Sequence, residues 1–311
     1  MHDEIKPNVF LRPIPRSWAL ALAGVLLCGC ATIYNPATER QEFIFITTPM
    51  EVALGNNVAM SVAKEYKFIK TPEVTDRVSK LGEKIAKVSD RQDLKYHFAV
   101  VEDKEINAFT TPGGYVYINS GLIDMVSDDE LACVIGHEIG HIAARHITKK
   151  LQAQLGYDIL MNIALQKASV NDLQQAASIT FNLVSLGYSR EDELLADRLG
   201  AKYAYKAGYD PYAMITFLKK LKDIDKEEMG FVFLRSHPYT SKRIEMMEKQ
   251  MPAIIAKVDG KPVQGAVKTV NPTNEGGDAA QKPRPYRVMC PKCRKIFSGN
   301  VRYCPYDGTR L

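Results

Sequence analysis

The chain has 311 residues, 46% of them hydrophobic and 25% charged, which suits a globular protein with one sizeable domain and a smaller appendage. That balance excludes a disordered or fibrous chain, and the formal charge of +5 is unevenly spread. Residues 281–311 hold eight Lys/Arg and one acid, residues 1–29 hold three bases and two acids, and the body between them is left mildly acidic.

At the start, Lys6, Arg12 and Arg16 precede an apolar run over residues 18–27, too short for a permanent span and suited to a secretory signal. The run ends in Leu27-Cys28-Gly29-Cys30. Leu at minus three and a small residue at minus one resemble a bacterial lipobox, with Cys28 an unusual residue at minus two. On that reading residues 1–29 are a lipoprotein signal peptide and Cys30 carries the lipid; several acyl chains on one cysteine anchor firmly. An ordinary cleaved signal and an uncleaved anchor compete for the same run. Ala31 and Thr32, in place of an Asp after the cysteine, imply the periplasmic face of the outer membrane in a bacterial cell envelope.

Residues 30–49 read as a tether with a β segment at 43–46. Residues 50–66 and 72–88 carry helical periodicity. In residues 94–101, Tyr96, Phe98 and Val100 alternate with Lys95, His97 and Ala99, as in a strand with His97 facing solvent. Pro112-Gly113-Gly114 reads as a turn before the β-prone Tyr115-Val116-Tyr117-Ile118. Two uses of this hairpin stay open. It builds core, or its edge holds an extended peptide by main-chain hydrogen bonds, with Asn107, Ala108 and Phe109 meeting the substrate.

Ser127-Asp128-Asp129-Glu130 reads as a capping box opening a helix whose centre is His137-Glu138-Ile139-Gly140-His141. Residues four apart share a helix face, so the two histidines can present nitrogens to one zinc, and a third protein ligand would leave one position for water. Glu138 is placed to take a proton from that water. Leu131, Val134, Ile135, Ile139, Ile142 and Ala143 make the helix apolar enough to be central, and Cys133 reads as a small buried residue. His146 falls on roughly the opposite helix face. The metzincin extension needs Gly and His where Ala144 and Ile147 stand.

Residues 151–186 have a helical pattern, but Asp158, Asn162, Gln166 and Lys167 interrupt any bilayer-length run. Ser189 with Asp192 opens another helix, on which Glu193 and Asp197 lie one turn apart. One carboxylate would complete a two-His-one-Glu site and a second would orient a ligand histidine. Chemistry alone does not choose among Glu191, Asp192 and Glu193.

These motifs together resemble the HtpX-like and BepA-like zinc metalloendopeptidases, gluzincins related to the prenyl-protein protease, over roughly residues 50–250. That family pairs H-E-x-x-H with a downstream S-R-x-x-E-x-x-A-D, matched here by Ser189, Arg190, Glu193, Ala196 and Asp197, while Leu195 replaces a common glutamate. The resemblance implies that Glu193 is the third ligand and Asp197 an acid behind a histidine; helical spacing then turns Glu191 and Asp192 away from the face those two share. The family's N-A-F-x-x-P-G-G element stands at residues 107–114, and its S/T-H-P element at Ser236-His237-Pro238, followed by Arg243-Ile244. His237 is thereby expected near the metal, as a removable ligand or oxyanion stabiliser; a plain loop histidine is the alternative.

Residues 257–286 read as a flexible linker. In residues 287–311, Cys290, Cys293, Cys304 and Asp307 resemble half a zinc ribbon, the aspartate replacing a fourth cysteine. Three thiolates and a carboxylate would hold a second, structural zinc that staples a unit too small to fold alone. In an oxidising compartment a disulfide, Cys290–Cys293 or one involving Cys304, is the competing chemistry. For an exported chain, the tail's cations suit anionic lipid or a protein partner better than nucleic acid.

The expectation is an α+β, mainly helical zincin-like peptidase domain over residues 50–256, with a small β-sheet whose edge faces the cleft, plus the C-terminal ribbon-like module. Its expected function is zinc-dependent endopeptidase hydrolysis of peptide bonds, and the family resemblance implies a role in cell-envelope protein quality control, on misfolded or misassembled envelope proteins. The competing function is a periplasmic chaperone-like or assembly factor with a latent or structural zinc.

Overall fold

The computed structural model describes residues 32–155, 158, 159, 162, 167, 169–227, 236–238, 240–261, 287–289 and 296–298. The signal peptide, Cys30, residues 262–286 of the linker, and Cys290, Cys293, Cys304 and Asp307 lie outside the described residues. The chain divides into two compact units, residues 1–265 and 266–311.

The stretch expected to be a tether is structured. Strands β1 (Thr32–Asn35) and β2 (Arg40–Phe43) pair antiparallel, Asn35 opposite Arg40. The strand therefore ends at Phe43, where the expected β segment begins. Long-range polar contacts hold the hairpin: the Asn35 amide donates to Glu42 at 2.9 Å and to the Ala143 carbonyl at 3.1 Å, and Lys149 pairs with Glu42. Ala143 and Lys149 are remote in sequence, so local pattern alone reads the segment as a tether.

Helices α1 (Thr48–Glu65) and α2 (Pro72–Val88) each place a proline in the first turn, where its missing N–H costs nothing. Strands β3 (His97–Val101), β4 (Ala108–Thr111) and β5 (Tyr115–Asn119) form a sheet of order β3-β5-β4, with β3 parallel and β4 antiparallel to β5. Gly113 and Gly114, at φ 80° and 94°, close the turn where a side chain would be strained. His97 is half-buried and stacks on Tyr115 with ring centroids 4.6 Å apart, instead of facing solvent. Parallel pairing sets these two rings side by side in the sheet.

After α3 (Ser120–Met125), helix α4 (Asp128–Ala143) carries both expected cap bonds between Ser127 and Glu130, and its residues 130–143 are all buried. Its C-cap is Ala144, and the next residue, Arg145, has φ 57° and ψ 35° and turns the chain sharply. Glu51 compensates for that left-handed residue. Its carboxylate pairs with Arg145 at 3.0 Å and with Arg91 at 2.7 Å, and Arg91 also donates to the last-turn carbonyl of Ile142 at 3.1 Å.

Helices α5 (His146–Gln154), α6 (Val170–Ser185), α7 (Arg190–Lys206), α8 (Ala213–Glu227) and α9 (Thr240–Val258) follow. The long helical pattern is thus divided between α5 and α6. Among the described residues, no helix is long and apolar enough to cross a membrane. The second unit's described part is an antiparallel pair, β6 (Arg287–Met289) and β7 (Ile296–Ser298).

Packing of α4 on α7 positions the site. The two helices meet glycine to glycine: a Cβ on Gly136 would lie 2.8 Å from the Gly200 carbonyl oxygen, and one on Gly200 would lie 2.7 Å from the His137 amide nitrogen. Only the absence of both side chains permits this approach. The mainly helical unit with its small mixed sheet is an α+β fold, and β4 is an edge strand beside α4.

Candidate metal centre

Helix α4 contributes His137, Glu138 and His141, α7 contributes Glu193 and Asp197, and the residues before α9 contribute His237. One potential ligand atom from each of His137, His141, Glu193 and His237 lies within 4.8 Å of the other three, and all four residues are buried. His137 Nε2 is 3.0 Å from His141 Nε2 and 3.2 Å from His237 Nδ1, and Glu193 Oε1 is 3.0 Å from His237 Nδ1. Sequence reasoning selected each member; the fold brings them to one point.

The chemistry of these donors fits a divalent cation. Asp197 Oδ1 stands 2.9 Å from His137 Nδ1, and a carboxylate only accepts, so that nitrogen carries the proton and Nε2 turns its lone pair inward. A parallel chain fixes His141. His146 Nε2 lies 3.3 Å from Asp192 Oδ1 and His146 Nδ1 lies 2.8 Å from His141 Nδ1. With His146 protonated on Nε2, His141 donates from Nδ1 and its Nε2 lone pair also points inward. Two lone pairs 3.0 Å apart repel unless a cation sits between them. Charge agrees: Glu138, Glu193 and Asp197 face the buried guanidinium of Arg243, which leaves a net charge of minus two when all three acids are ionised and the histidines are neutral, as metal ligation requires.

Arg243 binds Asp197 through Nε at 2.8 Å and Nη2 at 2.6 Å, pairs with Glu193 at 2.8 Å, and donates to the His237 carbonyl at 3.2 Å. It thus links the acid behind His137, the carboxylate of the cluster and the His237 backbone. Burial would raise the Glu193 carboxyl, but the charges of His237 and Arg243 hold it well below the usual range. Asp197 is likewise lowered, burial being outweighed by Arg243. Burial raises Glu138, only partly offset by His237 and His137, as suits a proton acceptor. Its two carboxylate oxygens are buried without a hydrogen bond, Oε1 lying 3.5 Å from His237 Nε2. Burial pushes His146 down to about 4, so it is neutral near pH 7.

Besides the role of Arg243, three participants escaped the sequence reading. His146 was expected on the far side of the helix, yet it touches His141, because the helical repeat stops at Arg145 and the turn redirects the next residue. Asp192, expected to face away, caps α7 and also meets His146. Tyr188 stacks on His141 with centroids 3.6 Å apart, while its amide donates to the Ser236 carbonyl at 3.1 Å and so ties α7's approach to the His237 segment. A helix that starts at a cap four residues from a ligand is the one signal that could have pointed to Asp192.

In the sheet, Ala108 and Phe109 are buried, and Phe109 stacks on Tyr117 at 4.8 Å. Asn107 accepts at its carbonyl from the Asn119 amide at 2.9 Å. Cys133 is buried in α4, and burial drives its thiol far above the usual range, as expected of a packing residue.

The sequence matches peptidase family M48 over residues 72–251. Mitochondrial metalloendopeptidase OMA1 of Schizosaccharomyces pombe is 29% identical over 225 residues, covering 70% of this chain and 66% of that protein. The OMA1 of Arabidopsis thaliana is 31% identical over 205 residues, 64% of this chain and 41% of the relative. The beta-barrel assembly-enhancing protease of Escherichia coli (strain K12) is 30% identical over 236 residues, 72% and 47% respectively. The chain therefore spans two thirds or less of each of these relatives.

Proposed function

The chain belongs to peptidase family M48, and from that premise we propose that it is a zinc-dependent endopeptidase of bacterial cell-envelope protein quality control. The observation that carries this reading is the buried convergence of His137, His141, Glu193 and His237 beside Glu138. In the proposal His137, His141 and Glu193 hold the metal. When bound, zinc supplies Lewis acidity toward the peptide carbonyl and acidifies water. Glu138 takes the proton from the attacking water and delivers it to the leaving amine. Asp197 holds His137 in the right tautomer, and Arg243 balances Asp197 and Glu193. The edge strand β4, with Asn107, Ala108 and Phe109 at its start, is the proposed seat for an extended substrate.

His237 is the proposed gate. If His237 also held the metal, it would take the position that three protein ligands leave for water, and it would have to move aside for turnover. That closed arrangement also favours the second reading, an assembly factor whose zinc is latent. Turnover of an unfolded protein with and without a chelator separates the two. Chelator-sensitive cleavage supports the peptidase; zinc-loaded protein with no cleavage, even as His237→Ala, supports the latent factor.

Similarity to the beta-barrel assembly-enhancing protease of Escherichia coli motivates misassembled envelope proteins as substrates. Lipid attachment at Cys30 and a second zinc on Cys290, Cys293, Cys304 and Asp307 belong to the same proposal and rest on sequence motifs alone. Acyl labelling lost in Cys30→Ser, and two zincs per full chain falling to one in Cys290→Ser, are the expected results.

A further inference from the structure

A cleft of about 470 Å³ opens between the turn of the β1–β2 hairpin, α7 and α9, on a part of α7 distinct from the metal cluster. Its volume lies within the roughly 300–1,000 Å³ usual for small-molecule sites. Leu195, Leu199, Ile254 and Val258 form an apolar wall, and four cations, Arg198, Lys202, Lys206 and Lys257, border it against one acid, Glu39.

Three of those cations are engaged. Lys202 pairs with Asp90 at 2.7 Å, Lys206 donates to the Val88 carbonyl at 2.9 Å, and Lys257 pairs with Glu39. Arg198 makes no hydrogen bond or ion pair among the described residues, although it is half-buried. Its sequence neighbour Asp197 is turned to Arg243 and His137 and cannot serve it. Burial pushes the guanidinium down, with Asp197 opposing that only in part. A half-buried, unpaired guanidinium at the mouth of an apolar cleft carries a desolvation cost that a bound anion would offset.

We propose that this cleft binds a single-chain carboxylate amphiphile of the fatty-acid class, its head on Arg198 and its hydrocarbon against Leu195, Leu199, Ile254 and Val258. An inorganic anion would leave the apolar wall unused, and a neutral chain would leave the guanidinium unpaired. The site is independent of zinc, so it stands or falls apart from the peptidase reading.

The test is calorimetric titration of the full chain with dodecanoate below its micelle concentration, in zinc-loaded and chelator-treated protein. One dodecanoate per chain is expected in both, since the carboxylate is held by Arg198 and not by the metal. Each methylene that finds the wall tightens binding by about fourfold, so decanoate should bind about tenfold or more weakly. Arg198→Gln should lose about tenfold or more while Arg198→Lys keeps part of the affinity. Because Arg198 has no partner to lose among the described residues and its desolvation cost disappears with the charge, the thermal midpoint of Arg198→Gln should be no lower than the parent's, which separates a binding defect from misfolding. Absence of binding, equal binding by Arg198→Gln, dodecanol binding as tightly as dodecanoate, or loss of binding with chelator would each overturn the proposal. So would a leucine-terminated peptide carboxylate that binds where dodecanoate does not, which would make the site one for chain termini.

Discussion

His146 and Asp192 illustrate what one buried contact contributes to a metal ligand. The Asp192–His146–His141 chain sets which nitrogen of His141 faces the cluster, as Asp197 does for His137. Removing a partner behind a ligand histidine typically costs about 10–100-fold in metal affinity. His146→Ala and Asp192→Asn should therefore weaken zinc binding by that order, measured by competition with a chromophoric chelator. Glu191→Gln, on an exposed residue of the same turn, should change nothing. Parent-like zinc affinity in His146→Ala would refute the chain's role.

Helix contacts set the distance between ligands. Because α4 and α7 touch through Gly136 and Gly200, a methyl group there must push α7, and with it Glu193 and Asp197, away from His137. Gly136→Ala should cost about 1–3 kcal/mol in denaturant unfolding and lower zinc affinity as well. An unchanged midpoint with unchanged zinc binding would mean that the helices tolerate separation. The hairpin's docking has a pH signature. Burial would raise the Glu42 carboxyl, but hydrogen bonds from Lys149, Asn35 and Thr38 outweigh it and hold Glu42 below its ordinary value. A depressed folded pKa contributes stability above the unfolded value, and that contribution is lost as pH falls through the folded one. Unfolding free energy should thus decline in acid below about pH 4, and Glu42→Gln should flatten that decline. An identical slope in both proteins would contradict the assignment.

At the scale of the whole molecule, what was legible in the sequence was what local rules encode. The H-E-x-x-H spacing, the capping boxes at Ser127 and Ser189, and the turn at Gly113-Gly114 each depend on neighbours within a few residues. Glu193 was legible only as one of three acids until the family pattern singled it out. The role of Arg243 was not readable, since an arginine near the start of a helix usually faces water, and only the fold brings Asp197 and Glu193 to it. His146 was misread because a helical repeat was extended past a left-handed residue, Arg145, whose side chain is held by the remote Glu51, Thr48 and Asp93. The N-terminal hairpin was missed for the same reason, its anchors lying over a hundred residues away.

The central claim is that one buried acid acts on the proton while another holds the metal, and paired substitutions test it most directly. Zinc content and the rate of cleavage of an unfolded protein are to be measured together on Glu138→Gln and Glu193→Gln. Glu138→Gln keeps size but cannot accept the proton, so zinc should stay bound while cleavage falls by orders of magnitude. Glu193→Gln replaces a charged ligand with a weak neutral one, so metal affinity and cleavage should fall together. Normal cleavage by Glu138→Gln, or full zinc and full activity in Glu193→Gln, would contradict the account.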